Sequence, residues 1–298
     1  MGGTSLAFPM MAYAAPDSPP AKFRRLEERV STLLAGENIG FDLRAVSFDD
    51  GYEFFRITKN AYTLYPVASC FKALAVLYYL WYTPRELWQL TDDSPVFRVA
   101  VYSNNPLTGN LLQETAQYAW HSGNAIEKFN NFVSEVLRIP AGIYRWNWAG
   151  SPTGETTDER FASSLETRYV EQAGVRHEMD NLYTPNNLAE FYLRLLQRGR
   201  FDAVHPQAQE AVDTTRWLLS LQADEYQSFI ERVWGEYIGK DGVIPAEDSP
   251  VGRVTNDAGI VQVGSSTYII SAMYTDGEFR FLELLRGVFD ALREYEDV

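Results

Sequence analysis

The sequence predicts a protein of the α/β (α+β) class, an antiparallel sheet flanked by helices with an all-helical lobe inserted into it. Three observations carry this prediction. β-like runs lie near both ends of the chain, the long middle from Leu64 to about Leu219 has mostly helical periodicity, and amphipathic helices open and close the body. A sheet drawn from both ends must therefore close around the middle. At 298 residues the chain can bury a substantial core, and 46% hydrophobic with 14% aromatic residues excludes disorder over most of its length. The expected organisation is a leader over 1–20 and one domain over 21–298. Within that domain an α/β lobe takes 21–60 and 215–298, and a helical lobe takes 61–214.

Each element has its own signal. "AKFRRLEERVSTLLAGENIG" places apolar residues at helical spacing and closes on glycine, which predicts a helix ending near Gly36. "FDLRAVSF" and "YEFFRIT" are β-like and joined through "DDG", the mark of a hairpin. "SCFKALAVLYYLWY" is apolar on nearly every face, so its helix belongs in a core, and Pro84 ends it after about four turns. Thr184-Pro185 before "NNLAEFYLRLLQRG" supplies a cap residue and a proline at the first helical position. "GIVQV" and "TYIISAMY" predict neighbouring strands, and "EFRFLELLRGVFDALREY" predicts an amphipathic terminal helix.

Charge and composition exclude several functions. A formal net charge of −14 and no offsetting basic stripe argue against nucleic acid as a partner. No run reaches the ~18 apolar residues that a membrane span requires. The single cysteine, Cys70, excludes an internal disulfide and zinc-finger sites. The first twenty residues hold an apolar stretch and a Pro-rich polar linker without a basic n-region, so they read as a flexible tail, with an atypical signal remnant as the alternative.

The chemistry concentrates at three places. Ser69 and Lys72 stand three apart at the head of the buried helix, where they share a face. A lysine there needs partners, and desolvation lowers its pKa toward that of a usable base. The competing reading is a capping serine and a lysine snorkelling from the helix edge. Ser103-Asn104-Asn105 sits between "VFRVAVY" and a helical run, and by itself reads as a loop or helix cap. Lys240-Asp241-Gly242 follows a strand-like run, and by itself reads as a turn. All three in this order are much harder to attribute to chance.

Together these segments resemble the serine hydrolases of class A β-lactamase and penicillin-binding-protein type, whose signature is S-x-x-K, S-D-N and K-T-G. The resemblance is collinear over roughly residues 22 to 296. It includes "YPVASCFKALAVL", "YSNNPLTGNLL", "TNDAGIVQV" and "YIISAMYTDG". It implies a β-lactamase/transpeptidase-like fold, with Ser69 as acyl-enzyme nucleophile and Lys72 helping to remove its proton. Ser103 would relay a proton to the leaving nitrogen, and Asn105 would orient Lys72 and bind the substrate amide. Lys240 would supply positive charge to Ser103 and to a substrate carboxylate. Backbone N–H groups at Ser69 and near Val243 would form the oxyanion hole, with Gly242 beside them. The resemblance calls for no cofactor and no metal, a small-molecule or peptide-like substrate, and a monomer. It also suggests a secreted or periplasmic protein, while the missing basic n-region leaves the cytoplasm open.

Departures from the pattern matter for the reaction. The interval from Ser69 to Ser103 is 103 − 69 = 34 residues, shorter than the family's usual spacing. Hydrolytic members carry a glutamate after Arg-Trp that activates the deacylating water, whereas here Asn147 follows Arg145-Trp146, and an amide cannot take that proton. Glu155 and Glu159 in the same polar loop read as solvated acids. Asn147 would line the substrate cleft, and Tyr144, Trp146 and Trp148 are divided evenly between lining that cleft and packing the core of the loop. Asp241 replaces the K-T-G threonine and should repel penicillin-like anions, unless it turns to pair with Lys240 or Arg253.

Other constellations are weaker. His121, His177 and His205 have no metal-ligand spacing, and "RHEMD" reads as a surface turn. No G-x-S-x-G elbow is present. Cys70 points about 100° from Ser69 around the helix and reads as a core thiol. Two functions follow from different classes: a serine acyl-enzyme former acting on an amide, ester or β-lactam-like substrate, and a catalytically impaired binding or scaffold protein on the same fold.

Overall fold

A computed structural model describes residues 21–144, 168–172, 174–179, 181–197, 200, 205–221 and 227–298. The body opens with α1 (Ala21–Leu34), whose Leu26, Val30 and Leu34 are spaced by four and buried together. Gly36 then turns the chain at φ +79°, a conformation that glycine adopts without strain. β1 (Ile39–Val46) and β2 (Glu53–Lys59) form the predicted hairpin, closed by Ser47 N–H donating to the Tyr52 carbonyl.

After the short β3 (Tyr65–Pro66), a 3-10 turn (Ala68–Phe71) leads into α2 (Lys72–Tyr82). Every residue of α2 is buried, as its apolar faces require. At ~1.5–3 kcal/mol for each large buried side chain, this helix anchors its lobe. Around it lie α3 (Pro95–Ala100), α4 (Asn105–Thr115) and α5 (Ala125–Asn131), the last continued by a π turn over Phe132–Val136.

The middle of the chain is less purely helical than its periodicity predicts. β4 (Arg168–Gln172) pairs with β5 (Val175–Met179), and β3 pairs with β6 (Leu182–Tyr183). "RHEMD", read as a surface turn, is thus largely strand: His177 and Glu178 lie on β5 opposite Val170 and Tyr169. Arg176 lies over the Tyr169 ring, a cross-strand contact that favours the pairing. Then comes α6 (Pro185–Leu196), whose Thr184 cap accepts from Asn187 N–H while the Asn187 side chain accepts from Thr184 N–H.

The chain ends with α7 (Ala208–Ser220), α8 (Phe229–Trp234), β7 (Tyr237–Ile244), β8 (Val254–Val263), β9 (Ser266–Tyr274) and α9 (Glu278–Glu296). The sheet is antiparallel with order β2-β1-β9-β8-β7, so the first hairpin docks on the last strand. One face, carrying Phe41, Leu43, Ile270 and Ala272, packs on α1 and α9. The other, carrying Ala258, Ile260, Ile269 and Met273, packs on the helical side through α2, α6 and α7. Alternation along β1 sends Asp42 and Arg44 to that second face, where both are almost wholly buried. Asp42 accepts from Arg44 and Arg56, and Arg44 also reaches Asn186 and Glu190 on α6. This network satisfies charges that would otherwise be costly to bury and ties the sheet to α6. β7, the strand at the other edge, runs past the start of α2 and so brings the site together.

Candidate functional site

Ser69 occupies the 3-10 turn ahead of α2, where first-turn amides have no helical acceptor and can point at a ligand. Its neighbour Ala68 has φ +50°, a left-handed conformation rare for a residue with a Cβ and found where packing holds a turn tightly. Two bonds hold this turn. Asn256 on β8, fully buried, donates to the Pro66 carbonyl at 2.6 Å, and Val67 N–H donates to the Asn181 carbonyl at 2.9 Å.

β7 comes in from the other side. A Cβ on Gly242 would lie 2.5 Å from Ser69 N, 2.8 Å from the Ala68 Cβ and 3.0 Å from Cys70 N, so only glycine permits the approach. Lys240, Asp241 and Gly242 therefore lie inside the strand and not in a turn beyond it. Val243 is half-buried next to this contact.

Lys72 is wholly buried at the head of α2. Its Nζ lies 2.9 Å from Ser69 Oγ, 2.6 Å from the Ser103 carbonyl and 3.1 Å from Ser103 Oγ, and it donates to Asn105 Oδ1. Ser103 reaches it because the chain turns there at φ +55°. Asn104 caps α4 by accepting from Leu107 N–H at 3.0 Å, which leaves Asn105 free to face inward. Ser69, Lys72, Ser103 and Asn105, thirty-odd residues apart in two groups, thus meet at one nitrogen.

Burial, and then the positive charge of Lys240, holds the Lys72 pKa well below that of an ordinary lysine. A neutral amine has two N–H donors and one lone pair. With the donors on the Ser103 carbonyl and Asn105 Oδ1, the lone pair can accept the Ser69 proton. The Cys70 thiol is buried, and its pKa is pushed up by desolvation and then by the carboxylates of Asp257 and Asp241, which disfavours its thiolate.

On β7, Lys240 Nζ donates to Asp241 Oδ1 at 2.8 Å, with the two side chains 6% and 24% exposed. Arg253 donates to Glu278. Asp257 stands directly across from Asp241 on β8, fully buried, and accepts from Ile230 N–H at 2.7 Å and Tyr237 OH at 3.1 Å. Desolvation, followed by the Asp241 charge, raises its pKa to about 7.

Trp146, Asn147, Trp148, Glu155 and Glu159 lie outside the described residues. Tyr144 is described, and its N–H donates to Asn181 Oδ1 at 2.7 Å. His121 is buried against Tyr82 OH at 3.0 Å, and burial lowers its pKa; His205 packs against Trp81. Sequence reasoning missed Asn256, which anchors the turn before Ser69, and Asp257, which backs Asp241. The available signal was a polar Asn-Asp pair inside an otherwise apolar strand.

No protein-family model matches the chain, and no curated protein matches it in sequence. Its fold, by contrast, matches solved structures over nearly their whole length. A β-lactamase from Sphaerobacter thermophilus DSM 20745 aligns with TM-score 0.61 at 14% identity, over 93% of this chain and 98% of that one. A class A β-lactamase from Bacteroides cellulosilyticus DSM 14838 aligns with TM-score 0.56 at 14% identity, over 93% and 99%. A point mutant of PBP-A, solved as an acyl-enzyme complex with penicillin G, aligns with TM-score 0.56 at 15% identity, over 91% and 97%. The chain therefore has the fold of the class A β-lactamases and of PBP-A. Identity this low speaks for the fold, and the chemistry must be argued from the site.

Proposed function

We propose that the protein is a serine hydrolase or acyltransferase that forms an acyl-enzyme on Ser69 with an amide, ester or β-lactam-like substrate. The observation that carries this reading is the buried Lys72 amine 2.9 Å from Ser69 Oγ, with its other partners all able to accept its N–H donors. In the acylation step the Ser69 O–H bond breaks, its proton passes to the Lys72 lone pair, and Oγ bonds the acyl carbon. The Ser69 and Val243 N–H groups stabilise the resulting oxyanion. When the intermediate collapses, the leaving group takes a proton through Ser103 Oγ, which lies 3.1 Å from Lys72 Nζ. Asn105 holds the amine in line, and Lys240 tunes it electrostatically.

Release of the acyl group is slow on this reading, because Asn147 stands after Arg145-Trp146 where an amide cannot activate water. The protein is therefore not an efficient standard β-lactamase, and a nucleophile other than water is an equally good acyl acceptor. Intact mass after incubation with a fluorescent penicillin and, separately, with a fluorophosphonate tests the reading. A stable adduct in the wild type that is lost in Ser69→Ala is the expected result. No adduct from either reagent would overturn it in favour of a binding scaffold.

A further inference from the structure

α7 and α8 pack on opposite faces of the sheet. Leu218 and Leu219 near the end of α7 join the core of the helical side, while Phe229 and Ile230 at the start of α8 join the core under α1 and α9. Where α7 ends, at Ser220, an apolar piece of the first face stays open as a cavity of about 930 Å³. Ser220, Phe48 and the register partners Ile238 and Ile260 line it. Trp234 is a fixed part of its wall, stacked on Phe289 and donating its indole N–H to the Gln262 carbonyl at 2.9 Å. Two carboxylates also line the cavity, Glu231 half-buried and Glu236 exposed, and among the described residues no Lys, Arg or His does. The arginines that touch its walls have acids of their own. Arg216, over the Phe48 ring at 4.7 Å, lies 3.7 Å from Asp213, and Arg293, over the Trp234 ring at 4.7 Å, bonds Asp290 at 3.0 Å.

We propose that this cavity is a second binding site, which takes a hydrophobic organic cation such as an aryl-substituted ammonium or phosphonium. Its volume lies in the range of small-molecule sites, and its make-up is theirs: an apolar wall that supplies burial and a few polar groups that select. Here the selecting groups are both carboxylates, so an anion of the same shape meets like charge. The formal charge of −14 on the whole chain adds a field of the same sign. The cavity is separate from the Ser69 cleft. Tyr237 on its wall precedes Gly242 by five residues, which at ~3.3 Å per residue is about 16 Å along β7. The inference does not depend on the acyl-enzyme reading.

Tetraphenylphosphonium and tetraphenylborate test it, since they share one shape and carry opposite charges. Equilibrium dialysis of the full chain should show saturable binding of one tetraphenylphosphonium, with tetraphenylborate weaker by about tenfold or more, the scale of a charge pair at a partly solvated site. Glu231→Gln combined with Glu236→Gln should weaken the cation by about tenfold and close most of the gap to the borate. Ser220→Trp places a large side chain in the cavity from an exposed helix end and should abolish binding, with thermal unfolding of each variant as the check that it folds. Glu247→Gln combined with Asp248→Asn removes two exposed acids that do not line the cavity and should leave the affinity unchanged. Several results would overturn the inference: no saturable binding below about 1 mM, a preference for the borate, or full-strength binding in folded Ser220→Trp. An equal loss in the Glu247 and Asp248 variant would do the same, because it would assign the cation to the overall charge.

Discussion

Gly242→Ala is a one-carbon test of how the two halves of the site meet. The new Cβ would stand 2.5 Å from Ser69 N and must retreat to the ordinary 3.4 Å, so β7 and the Ser69 turn have to part by about 0.9 Å. Neither side yields easily. The opposing atoms are backbone or the Ala68 Cβ, and the turn is anchored by Asn256 and by Val67 N–H. Overpacking of this kind costs about 1–3 kcal/mol of stability. A displacement near 1 Å also separates the Ser69 and Val243 N–H groups, so Ser69 labelling should slow by about 100-fold. Labelling followed by intact mass gives the rate, and urea denaturation gives the stability. A variant that labels at the wild-type rate would refute the assignment of β7 as the second oxyanion donor, whatever its stability.

Two further outcomes concern buried charge. Asp42→Ala leaves the buried Arg44 with Asn186, Glu190 and the more distant Glu53, and removes the carboxylate that Arg56 grips; it should cost about 3 kcal/mol in urea denaturation, and a loss under about 1 kcal/mol would contradict the network. Asp257 has its pKa raised from 3.8 to about 7, so the native state holds a proton that the unfolded chain releases. The stability this contributes is fully present below about pH 4 and is lost as pH rises through about 7. At ~1.4 kcal/mol per unit, the wild type should lose about 2–3 kcal/mol more than Asp257→Asn between about pH 5 and 8, and identical pH profiles would refute it.

Much of the architecture was legible from residue pattern. Elements whose signal is local, such as α6 with its Thr184-Pro185 cap or α9 with its apolar stripe, form where the sequence predicts them, since capping and helical periodicity act within a few residues. The short pairs β3–β6 and β4–β5 were not legible, because their partners lie far apart or, in "RHEMD", because polar surface strands carry no alternation. The Ser69-Lys72 pairing could be anticipated, as i and i+3 share a helix face.

By itself the sequence determined that a serine and a lysine would share the head of a buried helix, and that the sheet would come from both chain ends. Only the tertiary structure decided what those two side chains meet. That Ser103 and Asn105 close on Lys72 depends on a left-handed turn at Ser103, and that β7 reaches Ser69 depends on the missing side chain of Gly242. Asp241 was visible as a substitution, and pairing with Lys240 as one of its options, but its place opposite Asp257 follows from strand register. Local pattern encodes which face a residue takes. The distances and charges between faces are set by packing of segments far apart in the chain, which no window of sequence contains.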